Sequence, residues 1–493
     1  MLLEVYNTLS GKREKFTPEN LGIVNMYVCG LTVQNFSHIG HIRSAINYDV
    51  IRRYLEYKGY EVNYVQNFTD INKKIVRRAL EEEISSEELA EKYKQAYLED
   101  LEALNVKKAD NYCSVSDNIS EIIEVIETLI EKGYAYESEG NVYFSVEKFD
   151  DYGKLSGRKI EDMEAGARIK VEESKRHPMD FALWKKVKDQ ERSWESPWCK
   201  EGWPGWHIEC SAMSMNYLDT QIDIHGGGTD LIFPHHENEI AQSEAYSGKK
   251  PFAKYWLHNG TVNLKGEKMS KSLGNFYTTR ELLEKFQPDS LKYFLLTKHY
   301  RSPIDFSLKE VKKSEKNLLK LNKTKNKMAE IINQDVTGSS NNNFKEFKDQ
   351  LKKHKNAFEK AMDNDFNTAQ AIGVLNELSS DINGFINDSD LVINKATQSI
   401  IKESYDLFNK LTDVLGLKLN LETDKKENPQ LVNDLVDYIL EIRKQARENK
   451  NYEKADQIRD DLKEMGIEVN DGPHGVEWDF AIENYSEEEE DES

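Results

Sequence analysis

The segment from Gly22 to Phe68 constrains the fold more than any other. "GIVNMYVCG" (22–30) is an apolar run ending at a glycine, the pattern of a buried strand. "HIRSAINYDVIRRYLEYKG" (41–59) places Ile42, Ala45, Ile46, Val50 and Tyr54 at helical spacing and stops at Gly59. "EVNYVQNF" (61–68) reads as the next strand. Strand, helix and strand with short links form a βαβ unit, which implies a parallel sheet and a right-handed crossover. The predicted class is therefore α/β with a Rossmann-type parallel sheet. The turn after the first strand then lies at the carboxyl end of the sheet, where open α/β sheets bind ligands.

The remaining chain divides by texture. Residues 1–132 read as the first half of the sheet domain, with charged helix over about 80–132. "GYAYESEGNVYFSVEKFDDYGKLSG" (133–157) brings short aromatic strands and glycines, and 133–203 is predicted to be an inserted, partly β subdomain. Strand, glycine turn and helix return over 204–255 as the second half of the sheet domain, followed by a further region, 256–310. Residues 311–420 read as a helical bundle, interrupted by the polar stretch 333–343. A linker over 421–429, a compact segment over 430–482 and an acidic, disordered tail over 483–493 complete the expected organisation.

Charge bears on partners. The net charge is −21, which by itself disfavours a nucleic-acid partner. The charge is unevenly placed, however. "SEEEEDES" (486–493) holds six carboxylates, whereas "KEVKKSEKNLLKLNKTKNK" (309–327) holds eight lysines against two glutamates. The bland reading of that run is a solvated helix face. No apolar stretch is long enough to span a bilayer, and the first residues lack a basic segment leading into an apolar core. Four cysteines in 493 residues do not make a disulfide framework, so a reducing cytoplasm is expected.

Three groups of residues suggest chemistry. His38, Gly40 and His41 lie at the strand-to-helix junction, where free N–H groups and the helix dipole favour phosphate. Gly40 permits close approach to the backbone, and the imidazoles can donate hydrogen bonds to developing charge. Lys268 and Lys271 lie in "GEKMSKSLGN", a glycine- and hydroxyl-flanked loop suited to a polyphosphate, or alternatively an exposed basic loop. "GWHIECSAM" and "DIHGGGTDLIFPHHENE" supply His207, Glu209, Cys210, His225, His235, His236, Glu237 and Glu239 as possible ligands. His235 and Glu239 are spaced i,i+4. With Cys210 and the distant Cys29 they form a donor set suited to zinc; the alternative is a polar helix face with two inert cysteines.

Taken together, these motifs resemble the cysteinyl-tRNA synthetase family of class I aminoacyl-tRNA synthetases. The resemblance is carried by "MYVCGLTV", "SHIGHIRSA", "NFTDIN", "GWPGWHIECSAM", "DIHGGGTDLIFPHHENEIAQ", "GEKMSKSLGN" and "HYRSPIDFS". It implies ATP-dependent ligation of L-cysteine to tRNA-Cys through cysteinyl-adenylate. It also implies one zinc on Cys29, Cys210, His235 and Glu239 that binds the substrate thiolate, and Mg2+ with the ATP. His38, Gly40, His41, Lys268 and Lys271 would serve ATP, and Asp230 a ribose or amino-group contact. Thr69, Trp206 and His225 would line the amino-acid pocket. By the same resemblance 133–203 is the connective insertion, without an editing role, and 256–310 the stem-contact region with the lysine loop. Residues 311–420 would dock tRNA, and 430–482 would bind the anticodon, with Arg459, Asp471 and Trp478 as base contacts. A monomer is expected.

Two departures stand out. Lys73-Lys74 follows "NFTDIN" where the family tends to be acidic before the second lysine, and the residues after Trp478 are acidic where the family is basic. Two other readings are a ligase joining cysteine to an amino sugar, which resembles the catalytic half alone, and a zinc-stabilised RNA-binding protein without catalysis. A persulfide-forming side activity with pyridoxal phosphate on Lys74, Lys268 or Lys271 is a further possibility of the family.

Overall fold

The computed structural model describes residues 2–159, 174–188, 192–264, 267–268, 276–336, 344–389, 391–420, 429–472 and 475–480. The chain divides into two compact units, 1–420 and 421–493.

The first unit is built on five parallel strands: β1 (Ile23–Thr32), β2 (Glu61–Thr69), β3 (Asn111–Ser114), β4 (Ile222–Gly228) and β5 (Ala253–Asn259). Their spatial order is β5-β4-β1-β2-β3. Chain order runs outward from β1 through β2 and β3, then restarts on the other side with β4 and β5. The direction of winding therefore reverses between β1 and β4, and a crevice opens beyond their carboxyl ends. The register there pairs Tyr27 with His225 and Val28 with Gly226. Strand β5 extends past the expected 255/256 boundary, because Trp256 to Asn259 remain paired with His225 to Gly228.

Helix α1 (Ile39–Tyr57) crosses from β1 to β2, as the periodicity predicts. Buried Arg43, on its inner side, donates to the carbonyls of Gly260 at 2.8 Å, Thr261 at 2.7 Å and Ser302 at 2.5 Å. This ties the helix to a small sheet in which Val262–Leu264 pairs in parallel with Ile304–Phe306. Near its other end, Asp49 accepts from Arg53 at 2.8 Å and lies 3.8 Å from Lys292. Lys292 is fully buried and donates to the carbonyls of Asn105 and Gly416, each at 3.1 Å. Burial lowers its ammonium to about 8.

The inserted segment forms its own antiparallel sheet, in the order 135–138, 141–144, 181–186, 199–204 and 194–196. Four long helices, Leu308–Ile332, Lys345–Asp363, Thr368–Ile386 and Lys395–Val414, follow as the predicted bundle. The second unit contains helices Pro429–Glu448 and Tyr452–Glu464 and the hairpin Ile467–Gly472/Gly475–Phe480. The expected linker residues 421–428 and the acidic tail lie outside the described residues. No described helix is long and apolar enough to cross a membrane.

Candidate functional site

Two features meet at the crevice. The first is the start of α1. His38 is its N-cap and its Nδ1 accepts from the Gly40 N–H at 3.1 Å. The His41 Nδ1 accepts in return from the His38 N–H at 3.3 Å. The two rings stack with centroids 3.7 Å apart and planes 15° apart. This is a reciprocal capping box made from imidazoles. Because each Nδ1 is an acceptor, each neutral ring carries its proton on Nε2. Two N–H donors are thus set at a helix N-terminus that already favours anions.

The second feature is a buried cluster. Cys29 comes from the carboxyl half of β1. Cys210 comes from α2 (Trp206–Tyr217), His235 from a wide turn over Ile232–His236, and Glu239 from the first turn of α3 (Glu237–Ser247). Ligand atoms of these four residues all lie within 4.8 Å of one another. The separations fit a small tetrahedral cation. Zinc–sulfur bonds of about 2.3 Å give a tetrahedral edge of roughly 3.8 Å, and the two Sγ atoms are 3.7 Å apart. The Cys29 Sγ is 3.6 Å from the Glu239 Oε1, which is 3.0 Å from the His235 Nε2. A second set, Cys29, His225, His236 and Glu239, satisfies the same distance limit. The first offers two thiolates and the second only one, so the softer first set suits zinc better.

Electrostatics supports this choice. The hydrogen bond from Cys29 outweighs burial and lowers the Cys210 thiol to about 6. Burial raises the Cys29 thiol. Burial would raise the Glu239 carboxyl, but His225 and His235 outweigh it and hold it at about 2. Burial would lower His235, but Glu239 and Cys210 outweigh it and lift the ring to about 10. A metal binding such a set displaces thiol and imidazolium protons.

The surrounding histidines orient the donors. The His207 Nδ1 meets the His235 Nδ1 at 2.9 Å, leaving the His235 Nε2 for the cluster. The His236 Nε2 is 3.4 Å from the Cys29 Sγ, and its Nδ1 is 2.8 Å from the His258 Nε2. The His258 Nδ1 continues to the Thr8 hydroxyl at 2.8 Å. Sequence reasoning missed Thr8 and His258, which lie in no recognisable motif. His225 is wholly buried, bonded through Nε2 to Glu239 at 2.8 Å and stacked on Trp256. Exposed Trp206 stacks on His235 at 4.4 Å. Thr69 donates to the Glu209 carboxylate at 2.9 Å. Glu237, another ligand candidate, instead accepts from the backbone N–H groups of Gly153 at 3.0 Å and Ser156 at 2.8 Å, anchoring the inserted segment. Gly227 leaves room for the His236 ring, since a Cβ there would lie 2.7 Å from it.

Residues 15–316 match the model for the class I (C) tRNA synthetase catalytic domain. Residues 357–420 match a DALR domain, and 432–478 match the cysteinyl-tRNA ligase anticodon binding domain. The cysteine–tRNA ligase of Desulforamulus reducens is 46% identical over 492 residues, 97% of this chain and 99% of that protein. The one from Carboxydothermus hydrogenoformans is 48% identical over 477 residues, again 97% and 99%. The chain belongs to the cysteine–tRNA ligase family. It is a class I aminoacyl-tRNA synthetase, and so a ligase. Methionyl-tRNA synthetase of Mycobacterium tuberculosis shares the fold, with a TM-score of 0.60 at 14% identity over 80% of this chain and 90% of that one.

The other residues expected from this family are placed as follows. Asp230 is exposed just beyond β4. Lys268 ends the short strand Glu267–Lys268, while Lys271 lies outside the described residues. Arg459 pairs with Asp460 at 3.1 Å on an exposed helix face. The Trp478 indole donates to Asp437 at 3.4 Å, and Asp471 lies in the strand Ile467–Gly472.

Proposed function

We propose that this ligase charges tRNA-Cys with L-cysteine through cysteinyl-adenylate, with zinc held by Cys29, Cys210, His235 and Glu239. The observation that carries the reading is the Cys29–Cys210 pair, 3.7 Å apart, in the same crevice as the imidazole cap of α1. When bound, zinc lowers the pKa of the substrate thiol and favours sulfur over the hydroxyl of serine. Losing a metal–sulfur bond discriminates more strongly than an apolar pocket can between isosteres, so no editing site is needed.

The chain's own residues position the reactants. A carboxylate oxygen of cysteine attacks the α-phosphorus of Mg2+-bound ATP, and pyrophosphate leaves. The Nε2–H groups of His38 and His41 donate to phosphate oxygens as charge develops, and Gly40 lets the nucleotide approach. Lys268 and Lys271 hold the departing pyrophosphate, and Asp230 contacts the ribose or the amino group. Thr69, Trp206 and His225 shape the amino-acid pocket. The terminal adenosine hydroxyl of tRNA then attacks the acyl carbon, and AMP leaves. Positioning and charge stabilisation suffice, without a protein nucleophile. The helices over 311–416 dock the tRNA, and 430–482 reads the anticodon with Arg459, Asp471 and Trp478.

Cysteine-dependent ATP–pyrophosphate exchange, followed by charging of a tRNA-Cys transcript, tests this proposal. Both activities are expected. Exchange without charging would overturn the tRNA assignment, and absence of cysteine-dependent exchange would overturn the substrate assignment.

A further inference from the structure

Glu209 lies between the cysteine cluster and β2. It is 2% exposed, on the first turn of α2 beside Cys210. Its one hydrogen-bond donor among the described residues is the Thr69 hydroxyl, at 2.9 Å. No lysine, arginine or histidine of the described residues forms an ion pair with it.

Other buried acids nearby are better supplied. Glu239 has His225 at 2.8 Å and His235 at 3.0 Å. Asp70 has Arg192 at 3.3 Å and the Ser116 hydroxyl at 2.5 Å. Glu237 accepts from backbone N–H groups of Gly153, Leu155 and Ser156. A buried carboxyl group with one neutral donor is costly to ionise unless a cation completes it.

The topology indicates which cation fits. Cys29 is on β1, and Thr69 ends the adjacent β2, paired with Thr32. Glu209 and Thr69 therefore lie on the β2 side of the metal set, while His225 lies on its β4 side, bonded to Glu239. An amino acid bound through its sulfur carries a permanent positive group a short distance from that sulfur.

We propose that Glu209 is the residue that pairs with the α-ammonium group of the substrate cysteine, with Thr69 holding its carboxylate in place. This rests on the reading of the site as a cysteine-activating centre. The carboxylate accepts hydrogen bonds from the ammonium group, and the charge pair fixes which way the amino acid lies once its thiolate is held. A thiol acid lacking the ammonium group leaves Glu209 unpaired and is rejected for that reason.

The test compares cysteine with 3-mercaptopropionate, which keeps the thiol and carboxylate but lacks the amino group. Competition in ATP–pyrophosphate exchange gives the affinity of each for the wild type and for Glu209→Gln. That variant keeps an acceptor for Thr69 and nearly the same volume. Cysteine is expected to bind Glu209→Gln roughly 10- to 100-fold more weakly, with 3-mercaptopropionate and the zinc content unchanged, so that the wild-type preference collapses. An unchanged preference would overturn the proposal. If Glu209→Gln does not fold, Glu209→Ala, which also removes the carboxylate, replaces it, with the same two outcomes. Wild-type protein without cysteine-dependent exchange would instead refute the underlying reading.

Discussion

The imidazole cap of α1 and the buried cysteine–histidine cluster stand at opposite extremes of how a site is assembled. The cap draws on four consecutive residues, His38 to His41, which satisfy one another's backbone. The cluster draws on a strand, a helix, a turn and a second helix, with Cys29 and Cys210 separated by 181 positions. A local device depends on its own few torsions. A distributed one depends on the whole sheet order, and so should be sensitive to changes in residues that never touch a ligand.

The largest effect is expected at the distributed site. Cys210→Ser should remove zinc and lower cysteine-dependent exchange by more than about 100-fold, since a direct ligand should matter more than its supports. Metal analysis of the purified variant and exchange kinetics check this. Full zinc with an ordinary cysteine KM would show the ligand set to be wrong.

His41→Ala should separate the two regions. It removes a phosphate donor and half of the cap, so exchange kcat should fall roughly 100-fold. Zinc content and the cysteine KM should stay the same. Loss of zinc in this variant would show that the two devices are not independent.

His207→Ala probes the support of the cluster. His207 holds the His235 Nδ1 at 2.9 Å. Its loss should weaken zinc about 10- to 100-fold without abolishing binding. Competition against a chromogenic chelator reads the affinity.

The smallest effect concerns the far end of α1. The ammonium of Lys292 is lowered by burial to about 8. Between that value and the ordinary lysine pKa near 10.4, the unfolded chain holds a proton that the folded chain has lost. Stability from this group is therefore gained as pH rises through that window. Lys292→Met should lack this gain, so the urea midpoint of the wild type should rise relative to that of the variant from pH 8 to 10. A constant difference would contradict the shift.

The same contrast explains what was legible in the sequence. The βαβ unit, α1 and the His38–His41 turn follow from short-range periodicity and helix-start chemistry. The cysteine pair did not follow from spacing, because it requires β4 to lie beside β1, a fact of topology. The resemblance supplied that pairing before the sheet order did. Within "FPHHENE" the residues looked alike as ligands, yet Glu237 faces away to the backbone of the inserted segment while Glu239 faces the cluster. The i,i+4 spacing of His235 and Glu239 singles out that pair from the sequence, and they meet in the cluster even though His235 and His236 lie in a wide turn rather than a regular helix. Thr8 and His258 were invisible for the same reason as the cysteine pair. Their roles arise where β5 passes the cluster.

The central claim is that the Cys29, Cys210, His235 and Glu239 set holds a zinc that takes the substrate sulfur. X-ray absorption at the zinc edge tests it most directly. Without substrate, two sulfur scatterers are expected at about 2.3 Å. Adding cysteine should raise the count to three, and adding serine should leave it at two. A sulfur count that does not change with cysteine would contradict the account.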